Sequence, residues 1–259
     1  MAVGAGLPGP AGRLKLSRLP TGEPEVFTSI QGEGVSAGVP SVFIRLSLCN
    51  LRCSWCDTKY TWDWANYEPE EQILSVEVED VLRRLPATTS PTPAGGAPAL
   101  RIANAVITGG EPLMQQGALV PLVQGLKARG MRTEVETNGT IIPSDEIAGL
   151  IDQWNVSPKL ENSGNPREER EIPEALRWFA ARDDAYFKFV VAAAEDLSEV
   201  GCLVRTYAIP AGRVLLMPEG TDPAIIMERG RWLVERCVEE GYRFTTRHHI
   251  LLWGDKRGK

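Results

Sequence analysis

The sequence contains little of what defines disulfide-rich or membrane proteins. Cysteine occurs only five times in 259 residues. The number is odd and three of the five fall within eight residues, so a disulfide framework is excluded and reduced thiols are expected. No run approaches the ~18 to 20 apolar residues of a membrane span, and the first residues lack the apolar core of a secretion signal. We therefore expect a soluble, cytoplasmic protein with no membrane partner.

Positive charge is also in short supply. Lysine and arginine number 28 against 34 aspartates and glutamates, which gives a formal net charge of -6. This balance is the wrong sign for a protein that binds nucleic-acid backbones. Hydrophobic residues make up 43% of the chain, enough to bury a full core. The composition favours a globular protein with a small-molecule ligand and no nucleic-acid partner.

Two stretches differ from the rest of the chain. Residues 1–20 are rich in glycine, alanine and proline without a sustained period, which predicts a flexible leader. Residues 86–100 are rich in proline, alanine, glycine and threonine, which predicts a solvent-exposed insertion. We expect residues 21–259 to form one domain that carries this insertion.

Short β-branched runs alternate with longer helical patterns along that domain. Strands are predicted near residues 41–48, 103–108, 132–136, 152–156, 186–191 and 213–217. Helices are predicted near residues 76–85, 113–129, 144–150, 173–181, 195–206 and 222–240. This alternation predicts an α/β fold with a parallel sheet, either an open doubly wound sheet or a complete or partial barrel.

Charged residues occupy one face of three predicted strands. Arg45, Glu134, Glu136 and Lys188 each alternate with apolar neighbours. Charges on the inner face of a parallel sheet are costly unless they are paired. Either they line a polar, ligand-filled cavity, or the strands lie at an edge where the charges reach water.

Three cysteines follow the first predicted strand. Cys49, Cys53 and Cys56 form a C-x3-C-x2-C pattern within LCNLRCSWCDT. Three thiolates on one short loop can hold a soft metal centre and leave one coordination position free for chemistry. The alternative is a zinc site completed by one of four other residues. These are Cys202, Cys237, His248 and His249, of which the two cysteines lie in helical patterns typical of the core.

This pattern resembles the signature of the radical S-adenosylmethionine enzymes. The resemblance implies a 4Fe-4S cluster held by Cys49, Cys53 and Cys56, with S-adenosylmethionine bound to the fourth iron. It also implies a partial (β/α)6 barrel with the cluster-binding loop after the first strand. In that superfamily an electron from the cluster cleaves the cofactor to a 5'-deoxyadenosyl radical.

Other motifs of the superfamily follow in order. The TGGEP segment ends one predicted strand, ETNGT ends the next and NVSPKL the one after. Ligands sit at the carboxyl ends of strands in such folds. The resemblance implies that Glu111 receives the methionine amino group. The residues expected to bind S-adenosylmethionine are Gly109, Gly110, Glu111, Glu136, Asn138, Ser157 and Lys159.

Within the superfamily the chain is most similar to the ring-contracting lyases that act on a pterin. The segments FTSIQGEGVSAGVPSVFIRL, CDT, MPEGTD and HILLWGDKRG carry this resemblance, which spans about residues 25–258. It implies conversion of 6-carboxy-5,6,7,8-tetrahydropterin to 7-carboxy-7-deazaguanine with loss of ammonia, on the route to 7-deazapurines such as queuosine. It also implies that magnesium assists the reaction.

The expected substrate contacts follow from side-chain chemistry and from the resemblance. The Arg45 guanidinium suits a substrate carboxylate, and the Glu33 carboxylate suits the guanidine-like edge of a pterin. Thr58 corresponds to the magnesium-ligating threonine. The expected substrate-binding residues are Gln31, Glu33, Arg45, Thr108 and His249.

Two other functions remain open from the sequence. A radical activase, which forms a glycyl radical on a partner protein, also uses the C-x3-C-x2-C spacing, but it does not need QGEG or CDT. A zinc-binding interaction module needs no enzyme activity. The resemblance further implies a homodimer and a flavodoxin- or ferredoxin-type reductant.

Overall fold

A computed structural model describes residues 12–86 and 102–259, and within them ten strands form one mixed sheet. Most of the strands are short runs that contain β-branched or aliphatic residues. The strands are β1 Arg13–Ser17, β2 Val26–Ile30, β3 Pro40–Leu46, β4 Ile73–Glu77, β5 Asn104–Gly109, β6 Arg132–Thr137, β7 Gln153–Val156, β8 Ala185–Val191, β9 Val214–Pro218 and β10 Arg243–Phe244.

Helices connect the strands. They are α1 Pro69–Gln72, α2 Val78–Arg84, α3 Gln116–Ala128, α4 Asp145–Ala148, α5 Arg167–Arg170, α6 Pro173–Ala180, α7 Asp196–Thr206, α8 Pro223–Glu240 and α9 His248–Trp253. Short 3-10 turns occupy Lys59–Thr61, Pro112–Gln115, Glu161–Ser163 and Ala211–Arg213. None of these helices in the described ranges is long and apolar enough to cross a membrane.

The strand order is β10-β9-β8-β7-β6-β5-β3-β1-β4. The strands from β3 through β5 to β10 run parallel, whereas β1 pairs antiparallel with both β3 and β4, and β2 pairs antiparallel with β3. The sheet ends at β10 and β4 without closing. The expected α/β partial barrel is therefore observed, with antiparallel strands added before and after the first parallel strand.

The two faces of the sheet differ in chemistry. Apolar side chains such as Ile44, Ile107 and Trp154 are fully buried on the outer face, where the helices cover them. The opposite face carries Arg45 and Lys188 among other polar residues. Because side chains alternate along each strand, one buried apolar face leaves the other free to form a polar site.

The expectation of a flexible leader over residues 1–20 is wrong for its second half. Arg13–Ser17 forms β1 and pairs with Ile73–Glu77 at five positions, with Leu14 and Leu16 fully buried. The alternating pattern of RLKLS is itself a strand signal, hidden beside a Gly- and Pro-rich segment. Residues 1–11 and the predicted insertion, apart from residue 86, lie outside the described residues.

The six predicted strands are all present, as β3 and β5 to β9. The predicted helix near 76–85 begins at residue 78, because Ile73–Glu77 is a strand. Helix α9 was not predicted from the sequence. It follows the two-residue strand β10 and brings His249 to the polar side of the sheet.

Candidate active site

A cavity of about 490 Å³ opens at the carboxyl ends of the parallel strands. Its size suits a small molecule. All but one of the sequence-predicted site residues line it. They are Gln31, Glu33, Arg45, Cys49, Cys53, Cys56, Thr58, Thr108, Gly109, Gly110, Glu136, Asn138, Ser157, Lys159 and His249.

The charged inner-face residues divide into two groups. Arg45, Glu136 and Lys188 line the cavity, as the first of the two sequence interpretations expects. Glu134 is fully buried, forms an ion pair with Arg132, and is not part of the lining. The inner face therefore forms a binding surface near the carboxyl ends of the strands. Farther from those ends, at Glu134, it forms a polar network that is closed to the cavity.

The three clustered cysteines are free thiols on the loop that follows β3. Burial raises the pKa of Cys49 to about 12, and charge on Cys53 and Cys56 acts in the same direction. Burial also raises the pKa of Cys53. The buried thiols of Cys49 and Cys53 therefore deprotonate poorly on their own, and a cationic metal centre stabilises their deprotonated form.

Each of the three sulfurs has an N–H donor. The backbone N–H of Leu51 lies 3.5 Å from Cys49 Sγ, and Trp62 Nε1 lies 3.4 Å from Cys56 Sγ. Asn165 Nδ2 lies 3.3 Å from Cys53 Sγ. Hydrogen bonds to cysteine sulfurs are typical of iron–sulfur sites, so this donor set fits a cluster.

A single-ion site is not supported. Across residues 12–86 and 102–259, no three His, Cys, Asp or Glu side chains converge on one metal ion. A 4Fe-4S cluster does not require such convergence, because each cysteine binds a different iron. Cys237 is buried in the core as expected, whereas Cys202 is exposed on α7 and was wrongly expected to be a core residue.

Gly109 and Gly110 allow two backbones to meet beside the cysteine loop. The Gly110 N–H donates to Leu46 O at 3.0 Å, and the Glu111 N–H donates to Leu48 O at 2.8 Å. A Cβ on Gly109 would lie 2.0 Å from Leu46 O, and one on Gly110 would lie 1.9 Å from Leu48 O. No larger residue fits there, so the glycines set the position of the loop that carries Cys49.

The expected contact of Glu111 with an amino group is not supported by its position. Glu111 is fully buried and is absent from the cavity lining. Its carboxylate accepts hydrogen bonds from the backbone N–H of Leu113 and Asn138 and from Thr137 Oγ1, at 2.7 to 3.0 Å. The residue therefore joins the GGEP turn to the end of β6, which holds Asn138 at the cavity wall.

A cationic side chain after β7, Lys159, and an amide side chain after β6, Asn138, lie near the cysteine loop. Lys159 Nζ donates to the carbonyl and the hydroxyl of Ser157, both at 2.8 Å, and lies 5.8 Å from the ring centroid of Trp55. Asn138 Nδ2 donates to Asn50 Oδ1 at 2.8 Å. These contacts fix an ammonium and an amide at the edge of the cavity beside the cysteines.

Gln31, Thr108 and Glu136 form one hydrogen-bonded group. Glu136 accepts from Gln31 Nε2 at 3.1 Å and from Thr108 Oγ1 at 2.6 Å. The sequence assigned Glu136 to the cofactor and the other two residues to the substrate, whereas the structure places all three together on the cavity wall.

Glu33 is held between two cations. It forms ion pairs with Lys188 and, at 3.0 Å, with Arg247 Nε. Burial raises the pKa of Glu33, but the charges of Lys188 and Arg247 outweigh burial and hold the pKa well below its usual range. Glu33 is therefore ionised at neutral pH and can accept hydrogen bonds from adjacent N–H donors.

His249, not His248, faces the cavity. Its Nε2 lies 4.0 Å from Glu33 Oε1, and the space for its ring exists because residue 32 is glycine: a Cβ there would lie 2.1 Å from His249 Nδ1. Burial lowers the pKa of His249. The ring is therefore held in its neutral form beside Glu33.

Arg45 is paired but not fully occupied. Its Nε donates to Glu25 Oε1 at 2.9 Å, and Glu25 is fully buried. Glu25 also accepts from Tyr60 and from Arg257 Nε. Among the residues described, the two terminal nitrogens of Arg45 have no hydrogen-bond partner, so they are available to an acid in the cavity.

Thr58 lines the cavity without capping a helix. Its hydroxyl lies 3.5 Å from Cys56 Sγ, and it forms no side-chain cap for the 3-10 turn that follows. Asp57 beside it pairs with Arg247. Burial raises the pKa of Asp57, but Arg247 lowers it further, and the net pKa is below its usual value.

Sequence reasoning missed Glu25, Arg247 and Arg257 as site residues. Arg247 joins Glu33 to Asp57, and Arg257 joins Glu25 to the ring of Tyr60, which lies 3.5 Å from its guanidinium. A run of charged residues near the end of the chain was the available signal. Their partners lie 190 to 232 residues away, and no local pattern connects them.

Comparison with known proteins decides the family. A family model described as a 4Fe-4S single cluster domain matches residues 30–157. A 7-carboxy-7-deazaguanine synthase from Pyrobaculum aerophilum is 39% identical over 236 residues, which cover 91% of this chain and 96% of that protein. A synthase of the same name from Halobacterium salinarum is 36% identical, over 89% of this chain and 90% of its own. The chain belongs to the 7-carboxy-7-deazaguanine synthase family.

A solved structure agrees with this membership. The crystal structure of QueE from Escherichia coli aligns with a TM-score of 0.66 at 26% identity, over 92% of this chain and 95% of that one. The 7-carboxy-7-deazaguanine synthase family consists of radical S-adenosylmethionine lyases. The chain is thus an enzyme of that class, with a 4Fe-4S cluster and S-adenosylmethionine as cofactors.

Proposed function

We propose that this chain converts 6-carboxy-5,6,7,8-tetrahydropterin to 7-carboxy-7-deazaguanine with loss of ammonia, on the route to 7-deazapurines such as queuosine. One observation carries the proposal: three free cysteines and the groups that suit a pterin acid open into the same cavity of about 490 Å³. The family of the chain supports the same reaction.

The cluster ligands in this proposal are Cys49, Cys53 and Cys56. Their sulfurs face one cavity, each with an N–H donor beside it. When bound, the cluster and S-adenosylmethionine supply the radical that initiates the ring contraction, and the latter is regenerated.

The cofactor-binding part of the cavity lies beside the cysteine loop. We propose that Lys159 binds the carboxylate of S-adenosylmethionine, because its ammonium is fixed by Ser157 at the cavity edge. Asn138 and Glu136 offer an amide and a carboxylate for the ribose and the amino group. Gly109 and Gly110 line the cavity, and we propose that their backbone contacts the cofactor. Glu111 lies behind the cavity wall, where it accepts the backbone N–H of Asn138.

The substrate-binding part of the cavity lies between β3 and α9. We propose that Arg45 binds the substrate carboxylate through its two terminal nitrogens. Glu33, ionised between its two cations, accepts hydrogen bonds from the guanidine-like edge of the pterin. Gln31, Thr108 and His249 complete the recognition. In this arrangement the substrate carboxylate meets the positive charge of Arg45, and the guanidine-like edge meets the negative charge of Glu33.

Magnesium is also part of the proposal. A hard cation accepts hydroxyl, water and substrate oxygens as ligands. The Thr58 hydroxyl lines the cavity and is not used as a helix cap, which fits such a role. Asp57 is already paired with Arg247, so we propose that the remaining ligands come from water and substrate.

The remaining proposals concern partners and location. We expect a flavodoxin- or ferredoxin-type reductant, a homodimer, and a cytoplasmic protein that uses neither nucleic acid nor membrane as a partner. The net charge of -6 supports the expectation about nucleic acid.

An anaerobic assay tests the reaction. The chain, reconstituted with iron and sulfide, is incubated with reductant, S-adenosylmethionine, magnesium and the carboxytetrahydropterin, and the products are weighed by mass spectrometry. The proposal predicts 7-carboxy-7-deazaguanine and one ammonia per product. Formation of 5'-deoxyadenosine without any deazaguanine would defeat the substrate proposal and leave the radical chemistry intact.

A further inference from the structure

The segment of residues 161–171 lies directly against the cysteine loop. The Ser54 N–H donates to Ser163 O at 2.9 Å. Trp55 Nε1 donates to Asn162 Oδ1 at 3.1 Å. This polar stretch therefore covers the middle of the loop that carries the three cysteines.

Asn165 is the residue of this segment that reaches a sulfur. Its Oδ1 accepts the backbone N–H of Arg52 at 2.7 Å, and this contact fixes which side of the amide is oxygen. The amide nitrogen therefore points to Cys53 Sγ, at 3.3 Å, and to Ser163 Oγ, at 3.1 Å. Asn165 is buried, so water does not compete for the sulfur.

A buried arginine fixes Asn165 in turn. Arg170 Nε donates to Asn165 O at 3.2 Å, and its Nη1 donates to Lys159 O at 3.0 Å and to Glu199. Arg170 is 5% exposed. The segment is thus anchored to the end of β7 and to α7, and Asn165 keeps its orientation relative to the cysteine loop.

We propose that Asn165 is a positioning residue of the cluster site: its N–H hydrogen bond to the Cys53 sulfur raises the reduction potential of the cluster, and the anchored segment slows cluster loss. This inference rests on the proposed cluster ligation by Cys49, Cys53 and Cys56. Reduction adds negative charge to the cluster and its sulfurs, so a donor to sulfur stabilises the reduced form more than the oxidised form.

The test compares cluster potentials rather than activity. Asn165→Asp keeps the side-chain size and the acceptor for the Arg52 N–H, but replaces the donor to Cys53 with an oxygen. Asn162→Ala is the control for the potential, because it removes the same segment's side-chain contacts with Trp55, Val190 O and Asp196 without touching a sulfur. Each reconstituted protein is titrated anaerobically, and the reduced cluster is quantified by EPR.

For Asn165→Asp we expect the ratio of reduced to oxidised cluster at one fixed potential to fall about tenfold, which is about 59 mV for a one-electron couple. The Asn162→Ala control should keep the original ratio. We also expect a chelator to remove iron faster from Asn165→Asp than from the control.

The outcomes separate this inference from the proposed function. Equal potentials and equal iron release in Asn165→Asp and the unaltered chain would overturn it, as would an equal potential shift in the control. A folded Asn165→Asp protein that cannot retain the cluster, beside a control that can, supports it. If Asn165→Asp does not fold, Asn165→Ala is compared in the same way. An unaltered chain that binds no cluster would defeat the proposed function itself.

Discussion

Arg45 and Glu25 form an ion pair at the wall of the cavity, with Arg45 Nε 2.9 Å from Glu25 Oε1. Glu25 is fully buried and also pairs with Arg257 Nε at 3.0 Å. One carboxylate thus orients two guanidinium groups and leaves an excess positive charge facing the cavity. A ligand with a carboxylate completes this arrangement.

Removal of Arg45 should therefore impair turnover of the pterin acid while the cluster is retained. For Arg45→Ala we expect kcat/KM to fall about 100-fold or more, which is about 2.7 kcal/mol of lost binding in the transition state. Glu25→Gln should raise KM with a smaller effect on kcat, because it disorders Arg45 rather than removing it.

The control for this pair is Arg84→Ala, which removes an exposed arginine paired with Glu23. It should leave both kinetic constants unchanged. Steady-state kinetics at low substrate concentration provide the measurement. Full activity of Arg45→Ala under these conditions shows that Arg45 does not bind the carboxylate.

Substitution of any one of Cys49, Cys53 and Cys56 by Ala should abolish cluster retention. Three ligands are the minimum that leaves a single iron open, and a two-cysteine site exposes a second iron to solvent. Cys202→Ala is the control because Cys202 is exposed on α7, away from the cysteine loop. Iron and sulfide analysis should show the cluster in the control alone, and a Cys53→Ala protein with a full cluster would contradict the assignment.

Gly110→Ala should destabilise the fold near the cysteine loop. Its Cβ would lie 1.9 Å from Leu48 O, which is backbone, so the chain must shift. We expect the free energy of unfolding to fall by more than about 2 kcal/mol. Gly117→Ala, with no atom within 4 Å of its Cβ, should change it by less than about 1 kcal/mol. Urea denaturation of both variants measures the free energy of unfolding. Equal values for Gly110→Ala and Gly117→Ala would show that Gly110 is not tightly packed against Leu48 O.

His249 should make stability depend on pH in the weakly acidic range. Burial lowers its pKa in the folded chain below the usual 6.5. The unfolded chain therefore binds the proton more readily, so the stabilisation is present above pH 6.5 and is lost as pH falls through the lowered value. Its charged neighbours, Glu33, Arg247, Asp57 and Glu136, are common to both proteins in a comparison with His249→Gln.

Unfolding free energies of the two proteins across pH 5 to 8 provide the measurement. The difference in unfolding free energy between the unaltered chain and His249→Gln should be constant at the upper end of this range. As the pH falls, the unaltered chain should lose stability relative to His249→Gln. A difference that does not change with pH means that His249 has an ordinary pKa.

Thr58→Ala should alter the magnesium requirement and leave the cluster unchanged. We expect the magnesium concentration for half-maximal rate to rise about tenfold, because one hydroxyl ligand is lost. Thr206→Ala, which removes an exposed hydroxyl on α7, is the control. An identical magnesium response in Thr58→Ala and the control means that Thr58 is not a ligand.

Local patterns predicted the parts of the site that lie close together in sequence. The cysteine spacing and the glycines at 109 and 110 are short-range signals, and the structure brings them to one cavity. Ion pairs such as Arg257 with Glu25 join residues that are 232 positions apart. They depend on the tertiary fold, and no local sequence pattern predicts them.

Two differences between the structure and the sequence-based expectations have similar causes. The five-residue strand Arg13–Ser17 owes its existence to pairing with β4, far along the chain, and its own pattern is short. The motif of Glu111 predicted that its side chain faces the cavity. Its hydrogen bonds with Thr137 and with the Asn138 backbone hold it buried behind the cavity wall. Tertiary partners decided both cases.

In the proposed site, three cysteines hold a cluster with one iron left open to S-adenosylmethionine. The most direct measurement is the iron and sulfide content of the anaerobically reconstituted chain, with EPR of the reduced protein before and after addition of S-adenosylmethionine. We expect about four irons and four sulfides per chain and an EPR spectrum that changes when S-adenosylmethionine binds. One zinc per chain, or a cluster whose spectrum does not respond, would contradict it.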